Sequence, residues 1–110
     1  MDLIITLPSE TEWSDYLKEL HAAERGEVLN FKVATFPRSA AIGSRVYVVW
    51  RGAIRGWMTL TGMHEKEFTS TRTGKKWEGK FLELSGNWYP LDPPMVTKGF
   101  QGYRYFTLKK

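Results

Sequence analysis

Arg45-Val46-Tyr47-Val48-Val49-Trp50-Arg51-Gly52-Ala53-Ile54-Arg55-Gly56-Trp57-Met58-Thr59-Leu60-Thr61-Gly62 is the stretch that decides the fold. Arg45–Trp50 is apolar on both faces once past its arginine, and a strand tolerates that only when both of its sides are covered. It therefore reads as a central strand. Arg51-Gly52 turns the chain. Ala53–Gly62 then alternates, with Ile54, Met58 and Leu60 set against Arg55, Trp57, Thr59 and Thr61. Period-two alternation of this kind gives one core face and one aromatic–cationic face.

Upstream of this hairpin, Leu3–Leu7 is a short apolar run closed by Pro8 and reads as a first strand. Ser9-Glu10-Thr11-Glu12 has the spacing of a capping box, in which Ser9 and Glu12 satisfy each other's backbone N–H. Trp13, Tyr16, Leu17, Leu20 and Ala23 follow at helical spacing, and Gly26 fits the residue just past a helix end. His21 falls near this apolar face as a partly buried or flanking histidine. Val28–Ala34 is a further strand candidate, ended by Phe36-Pro37-Arg38, and Ala41-Ile42-Gly43-Ser44 is a turn into the central strand.

Downstream, Phe68–Arg72 and Lys76–Leu84 flank Thr73-Gly74-Lys75 as a hairpin. His64-Glu65-Lys66-Glu67 reads as a solvated turn or strand end. Asn87-Trp88-Tyr89-Pro90-Leu91-Asp92-Pro93-Pro94 is rich in proline, which predicts an irregular loop. Gly102–Leu108 is a last strand, with Tyr103, Tyr105 and Thr107 opposite Arg104, Phe106 and Leu108. The expected architecture is α+β: one helix near the N-terminus on a small, mostly antiparallel curled sheet, partly closed into a barrel to protect its edges.

At 110 residues the chain suits one domain spanning residues 1–110. It has no cysteine, which excludes disulfide staples, a thiol nucleophile and thiolate zinc sites. No basic leader precedes the first apolar run, and no run approaches the roughly 20 residues that span a bilayer. A soluble, cytoplasmic domain is the expectation. His21 and His64 are the two histidines, and their spacing fits no metal-ligand motif. There is no G-x-S-x-G elbow, P-loop or G-x-G-x-x-G, so no cofactor is expected. Gly99-Phe100-Gln101-Gly102 precedes a strand, without the helix N-terminus a phosphate site requires.

The net charge of +4 hides a division. Residues 1–30 hold seven acids against two bases, and residues 31–110 hold fourteen bases against five acids. A basic remainder beside an acidic end orients an anionic partner toward the sheet and away from the helix. Aromatic residues make up 15% of the chain, more than a small core needs, and several adjoin cations. These are Trp50-Arg51, Arg55 with Trp57, Lys75-Lys76-Trp77 and Tyr103-Arg104-Tyr105. Such pairs suit stacking on a base while holding its phosphate, although Trp and Tyr also fill cores while cations reach past them to water. Trp13 and Tyr16, on the apolar helix face, and Val46, Val48 and Phe81 belong to the core.

Ile42-Gly43-Ser44-Arg45-Val46-Tyr47-Val48-Val49-Trp50-Arg51-Gly52-Ala53-Ile54-Arg55-Gly56 resembles the "x-G-D-R-V-Y-V … G-x-I-x-G" hairpin of the PUA-like superfamily, which includes the ASCH and EVE domains. Ser44 stands where those proteins often carry Asp. The resemblance lies in the stretch Pro37–Gly62, about a quarter of the chain. It implies a small, partly closed barrel with flanking helices that binds RNA or a modified base in a cleft. Some ASCH proteins hydrolyse modified nucleosides, but the G-x-K-x-x-E-x-R signature of that chemistry is absent here.

The first functional expectation is a binding module for nucleic acid, as RNA, a single strand or one extruded base. Trp57 or Trp50 would be the stacking platform, with Tyr103 beside them. Arg38, Arg51, Arg55 and Arg104 would be donors to phosphates or base edges, and Lys75 and Lys76 would reach the backbone from a hairpin tip. A second expectation is a hydrolase on a modified nucleoside, with Lys80 and Glu83 or Glu78 as an acid–base pair. A third is a regulatory module that docks on a protein through exposed Trp, Tyr and Arg. The sequence leaves the oligomeric state open.

Overall fold

The computed structural model describes residues 1–70, 73–98, 100 and 102–107. In chain order its elements are β1 (Asp2–Thr6), α1 (Trp13–Glu24), β2 (Leu29–Val33), β3 (Arg45–Trp50), β4 (Ala53–Thr69), β5 (Lys76–Val96) and β6 (Tyr103–Phe106). All six strands form one sheet in the order β2-β5-β4-β3-β1-β6, curled into a half-barrel. Every pairing is antiparallel except β1 with β3, which run parallel. The connection between those two strands carries α1 and β2, and this crossover places the helix on one face of the sheet.

β3 is central, as its double-sided apolar run requires: Val46, Tyr47, Val48 and Val49 are all buried. Its two faces serve two clusters. On the helix side, Val46 and Val48 join Leu3, Ile5, Met58, Leu60, Leu82, Leu84 and Trp88, covered by Leu20 and Ala23 of α1. On the opposite side, Tyr47 and Val49 join Ile4 and Ile54, with Trp57, Leu91, Phe100 and Phe106 packed around them. Burying Leu20 alone contributes about 1.5–3 kcal/mol. α1 is thus anchored by its apolar stripe, with Trp13, Tyr16 and Leu17 at the margin.

The capping box does not form. Glu12 is the N-cap and makes no side-chain cap hydrogen bond, while the Ser9 hydroxyl lies 3.5 Å from the Glu10 carboxylate. Residues 8–11 instead close a turn through Thr11 N–H to Pro8 O, so α1 starts at Trp13. The helix ends as its sequence indicates: Gly26 N–H bonds to Ala23 O and Glu27 N–H to Ala22 O. His21 is exposed and bonds Glu24 at 2.8 Å. Glu24 in turn accepts the Trp88 backbone N–H at 3.2 Å and ties the end of α1 to β5.

Arg51 and Gly52 both take positive φ, 47° and 77°, the two-residue turn whose twist matches a hairpin. Beyond it, strict alternation fails at two places, the second at Thr61, where Leu60 pairs with Leu84 but Gly62 pairs with Glu83. At the first, which adjoins the turn, Val49 pairs with Ile54 but Val48 pairs with Gly56, so Arg55 is an inserted residue. This first bulge reverses the parity of the strand. Ile54 therefore lies on the same side as Trp57, while Met58 and Leu60 face the helix.

β4 also continues farther than the sequence indicates. Ala53–Gly62 and the strand expected from Phe68 merge into 17 residues, because residues 53–69 pair with β5 along their whole length. His64–Glu67 is therefore mid-strand rather than a turn. The expected hairpin beyond it is present, with Thr69 opposite Lys76; Arg72, assigned to its first arm, lies outside the described residues.

Asn87–Pro94 is part of β5, which differs from the loop its prolines indicate. β2 pairs only with residues 80–84 of β5, so the later outer edge requires no N–H from Pro90, Pro93 or Pro94. Irregularity survives locally. Gly56 pairs with Pro90 and Ile54 with Met95, which leaves Arg55 opposite the four residues 91–94. Leu108, expected in the last strand, lies outside the described residues.

Candidate functional site

The sheet face opposite α1 carries an aromatic and cationic group built from three adjacent strands. Trp57 of β4 pairs with Tyr47 of β3 on one flank and Tyr89 of β5 on the other. Its ring stacks on Tyr89 with centroids 4.1 Å apart and planes 21° from parallel. The Arg45 guanidinium lies 4.4 Å from the Trp57 ring centroid. Arg45 comes from β3 and Tyr89 from β5, so the half-buried Trp57 ring is covered from both sides. Tyr89 is 42% exposed and presents the outer face of the stack.

Gly56 is what permits this arrangement. A Cβ there would stand 2.6 Å from the Trp88 ring and collide with the Tyr89 carbonyl oxygen. Arg45 is held by its neighbours: its N–H donates to Asp2 Oδ1 at 2.8 Å, and its Nη1 donates to the Tyr47 hydroxyl at 3.4 Å. On the same side of the neighbouring strands, Arg104 lies 4.8 Å over Phe100, and Phe106 packs edge-on to Tyr47.

Farther along the β4–β5 ladder this side becomes polar and then aromatic again. Ser85 Oγ donates to Thr61 Oγ1 at 2.9 Å. Glu83 receives Lys66 Nζ at 2.8 Å and meets His64 Nδ1 at 2.9 Å. Burial works against the Glu83 charge, but the hydrogen bonds from Lys66 and His64 outweigh it and hold the carboxyl below its usual range. Next, Phe68 meets Phe81 edge-on at 5.1 Å with Lys66 above it, and at the tip Lys75 covers Trp77 at 4.3 Å.

The nine residues singled out from sequence do not form one cluster. Trp57 and Arg104 share the face opposite the helix. Trp50 is on the helix side, 5.7 Å from Trp13, and its indole N–H donates to Thr11 O at 2.8 Å. Arg51 and Arg55 both cover the Trp50 ring, at 4.4 and 5.1 Å, while donating to Ser9 O and Trp50 O respectively. Trp50 and Arg51 thus tie the segment leading into α1 to the sheet, and Arg55 stays within the β3–β4 hairpin. Arg38 is exposed in the β2–β3 connection, and Tyr103 packs on the helix-side cluster. Lys75 and Lys76 diverge: Lys75 stays with Trp77, and Lys76 pairs with Glu67 at 2.7 Å.

Lys80 and Glu83 differ by an odd number of residues along β5 and lie on opposite sides of it. Lys80 pairs with Glu65 across the ladder and lines an open groove of about 560 Å³ with Lys32, Glu65 and Glu78. No group of three potential metal ligands occurs among the described residues, and no described helix is long and apolar enough to cross a membrane. Sequence reading missed Arg45, Tyr89, His64 and Lys66 as members of one surface. Their common face depends on strand register, and the signal for it was the alternation of Tyr89, Ser85 and Glu83 hidden behind Pro90. Compared with protein-family models, curated proteins and solved structures, the chain finds no match in any of the three.

Proposed function

We propose that this protein binds nucleic acid on the sheet face opposite α1, with a base stacked on Tyr89. The observation that carries this reading is the layered group Arg45–Trp57–Tyr89, a cation and two rings in sequence with the last ring facing solvent. A base on an aromatic platform contributes roughly 1–3 kcal/mol, and a ring already braced from behind has little freedom left to lose. Arg45 adjoins the platform as a phosphate donor, and Arg104 on β6 adds a second cation to the same face. The acids of α1, Asp15 and Glu24 among them, belong to the other side of the sheet, so an anion is favoured on this face.

A PUA-like fold is part of the same proposal. Its support is the Gly43–Gly56 hairpin motif together with one helix on a curled, mostly antiparallel half-barrel. The reading calls for a single strand or an accessible base, since a paired base offers no free ring face.

Fluorescence titration with a single-stranded octanucleotide, as RNA and as DNA, tests the proposal. Neutralising about three phosphates gives a slope near −2 in log K against log salt, about a 20-fold loss between roughly 50 and 200 mM. Affinity that does not respond to salt, or no binding to either strand at low salt, contradicts it.

A further inference from the structure

We infer that the ligand is a single strand lying lengthwise along the β4–β5 ladder from Tyr89 to Trp77, rather than one extruded base held at Tyr89 alone. This inference rests on the nucleic-acid reading and extends it to the path and length of the site. The side of the ladder that bears Tyr89 is continuous. Tyr89 and Trp57 are followed by the Thr61–Ser85 hydroxyl pair, then His64 and Lys66 on Glu83, then Phe68 against Phe81, then Trp77 under Lys75. Rings for stacking thus recur at both ends, with cations at the start, middle and tip.

The charges are sorted to match. Between Tyr89 and Trp77, Glu65, Glu67 and Glu78 lie on the other side of the ladder, where Glu65 faces Lys80 and Glu67 meets Lys76. Glu83 is the one carboxylate on the Tyr89 side of that span among the described residues. It is matched by two partners, and its side chain is only 16% exposed while that of His64 is 64% exposed. A phosphate passing there meets Lys66 and the outer edge of His64 before it meets Glu83. Gly62 makes this possible, because a Cβ in its place would stand 2.5 Å from Glu83 Oε1 and push the carboxylate outward.

Length follows from strand geometry. Trp57 to Phe68 is eleven steps of β4, about 36 Å at ~3.3 Å per residue before bulges shorten it. The longest dimension of the molecule is 38 Å, so the path uses almost all of it. A strand that advances about 3.4 Å per stacked nucleotide, and roughly twice that when splayed, covers this distance in about five to ten nucleotides.

The test is anisotropy of labelled oligouridylates and oligothymidylates of increasing length, with the wild type and with Lys75→Glu, an exposed change that leaves every strand pairing intact. Wild-type affinity should rise at least about tenfold from the dinucleotide to the octanucleotide and then level off. Lys75→Glu should weaken the octanucleotide several-fold and leave the dinucleotide unchanged. Affinity already level at one or two nucleotides, and indifferent to Lys75→Glu, overturns the path while leaving a single-base site at Tyr89. Absence of binding at every length in low salt overturns the nucleic-acid reading itself, and the path with it.

Discussion

Trp57 and Tyr89 stack across the β4–β5 ladder with centroids 4.1 Å apart, although 32 positions of sequence separate them and a bulge lies on either side of the pair. Trp57 is locked between Arg45 and Tyr89, while Trp50, the same residue type with two guanidiniums over its ring, is spent on the helix side. Substituting the two aromatic residues should therefore have opposite consequences. Tyr89→Ala should weaken oligonucleotide binding by about 1–3 kcal/mol and change the melting temperature little. Trp50→Ala should lower the melting temperature, with a loss of about 3–5 kcal/mol, by opening the contact with Trp13 and freeing Thr11 O. Thermal melts run beside binding titrations check both.

Gly56→Ala should destabilise the fold by about 1–3 kcal/mol, since the added methyl meets the Trp88 ring and the Tyr89 carbonyl and neither is a flexible chain end. The same change should disturb the Trp57–Tyr89 stack. Urea unfolding gives the first effect, and near-ultraviolet circular dichroism of the tryptophans reports the second.

Charge placement gives a prediction about salt. Arg45→Glu should lower affinity and make the slope of log K against log salt shallower by roughly one unit. Arg25→Glu, at the end of α1, should leave the slope unchanged. Equal effects from the two reversals would mean that net charge, and not a face, attracts the ligand.

The carboxyl of Glu24 lies below its usual range because of its hydrogen bond with His21, then that with the Trp88 backbone N–H. Glu83 is lowered as well. A depressed folded pKa means that the unfolded chain binds more protons in that interval, so stability rises with pH there. The contribution is fully present above the unfolded carboxylate value of about 4.3 and is lost as pH falls through the folded value. Glu24→Gln should lower the urea midpoint at pH 6, and the gap to wild type should shrink on acidification. A gap that grows toward low pH would contradict the clamp between α1 and β5.

The sequence disclosed most of the frame. Four consecutive buried residues from Val46 to Val49 can only be a strand covered on both faces, and the apolar stripe from Trp13 to Ala23 has one helical solution. What stayed hidden is governed by register. One inserted residue, Arg55, moves Ile54 to the side of Trp57, and period-two reasoning has no local means of detecting an insertion. Pro90 to Pro94 suggest a loop because proline lacks an N–H, yet at an edge without a partner that lack costs nothing. Tyr89 was concealed by the same prolines. The capping box failed for a different reason: the turn at Pro8–Thr11 satisfies the chain before Ser9 can reach Glu12. Trp57 and Arg104 were legible as candidates, but the grouping of Arg45, Trp57 and Tyr89 was not.

The five tryptophan side chains divide between the two sides of the sheet, which makes their indole N–H groups natural reporters of where a ligand sits. Trp13, Trp50 and Trp88 belong to the helix-side cluster, Trp57 to the opposite face and Trp77 to the hairpin tip. Nuclear magnetic resonance of these five signals during titration with a single-stranded octanucleotide is the most direct measurement of the central claim. The Trp57 and Trp77 resonances should shift with increasing ligand while those of Trp13, Trp50 and Trp88 stay in place. Shifts confined to Trp13, Trp50 and Trp88, or no shift in any of the five, would contradict binding on the face opposite α1.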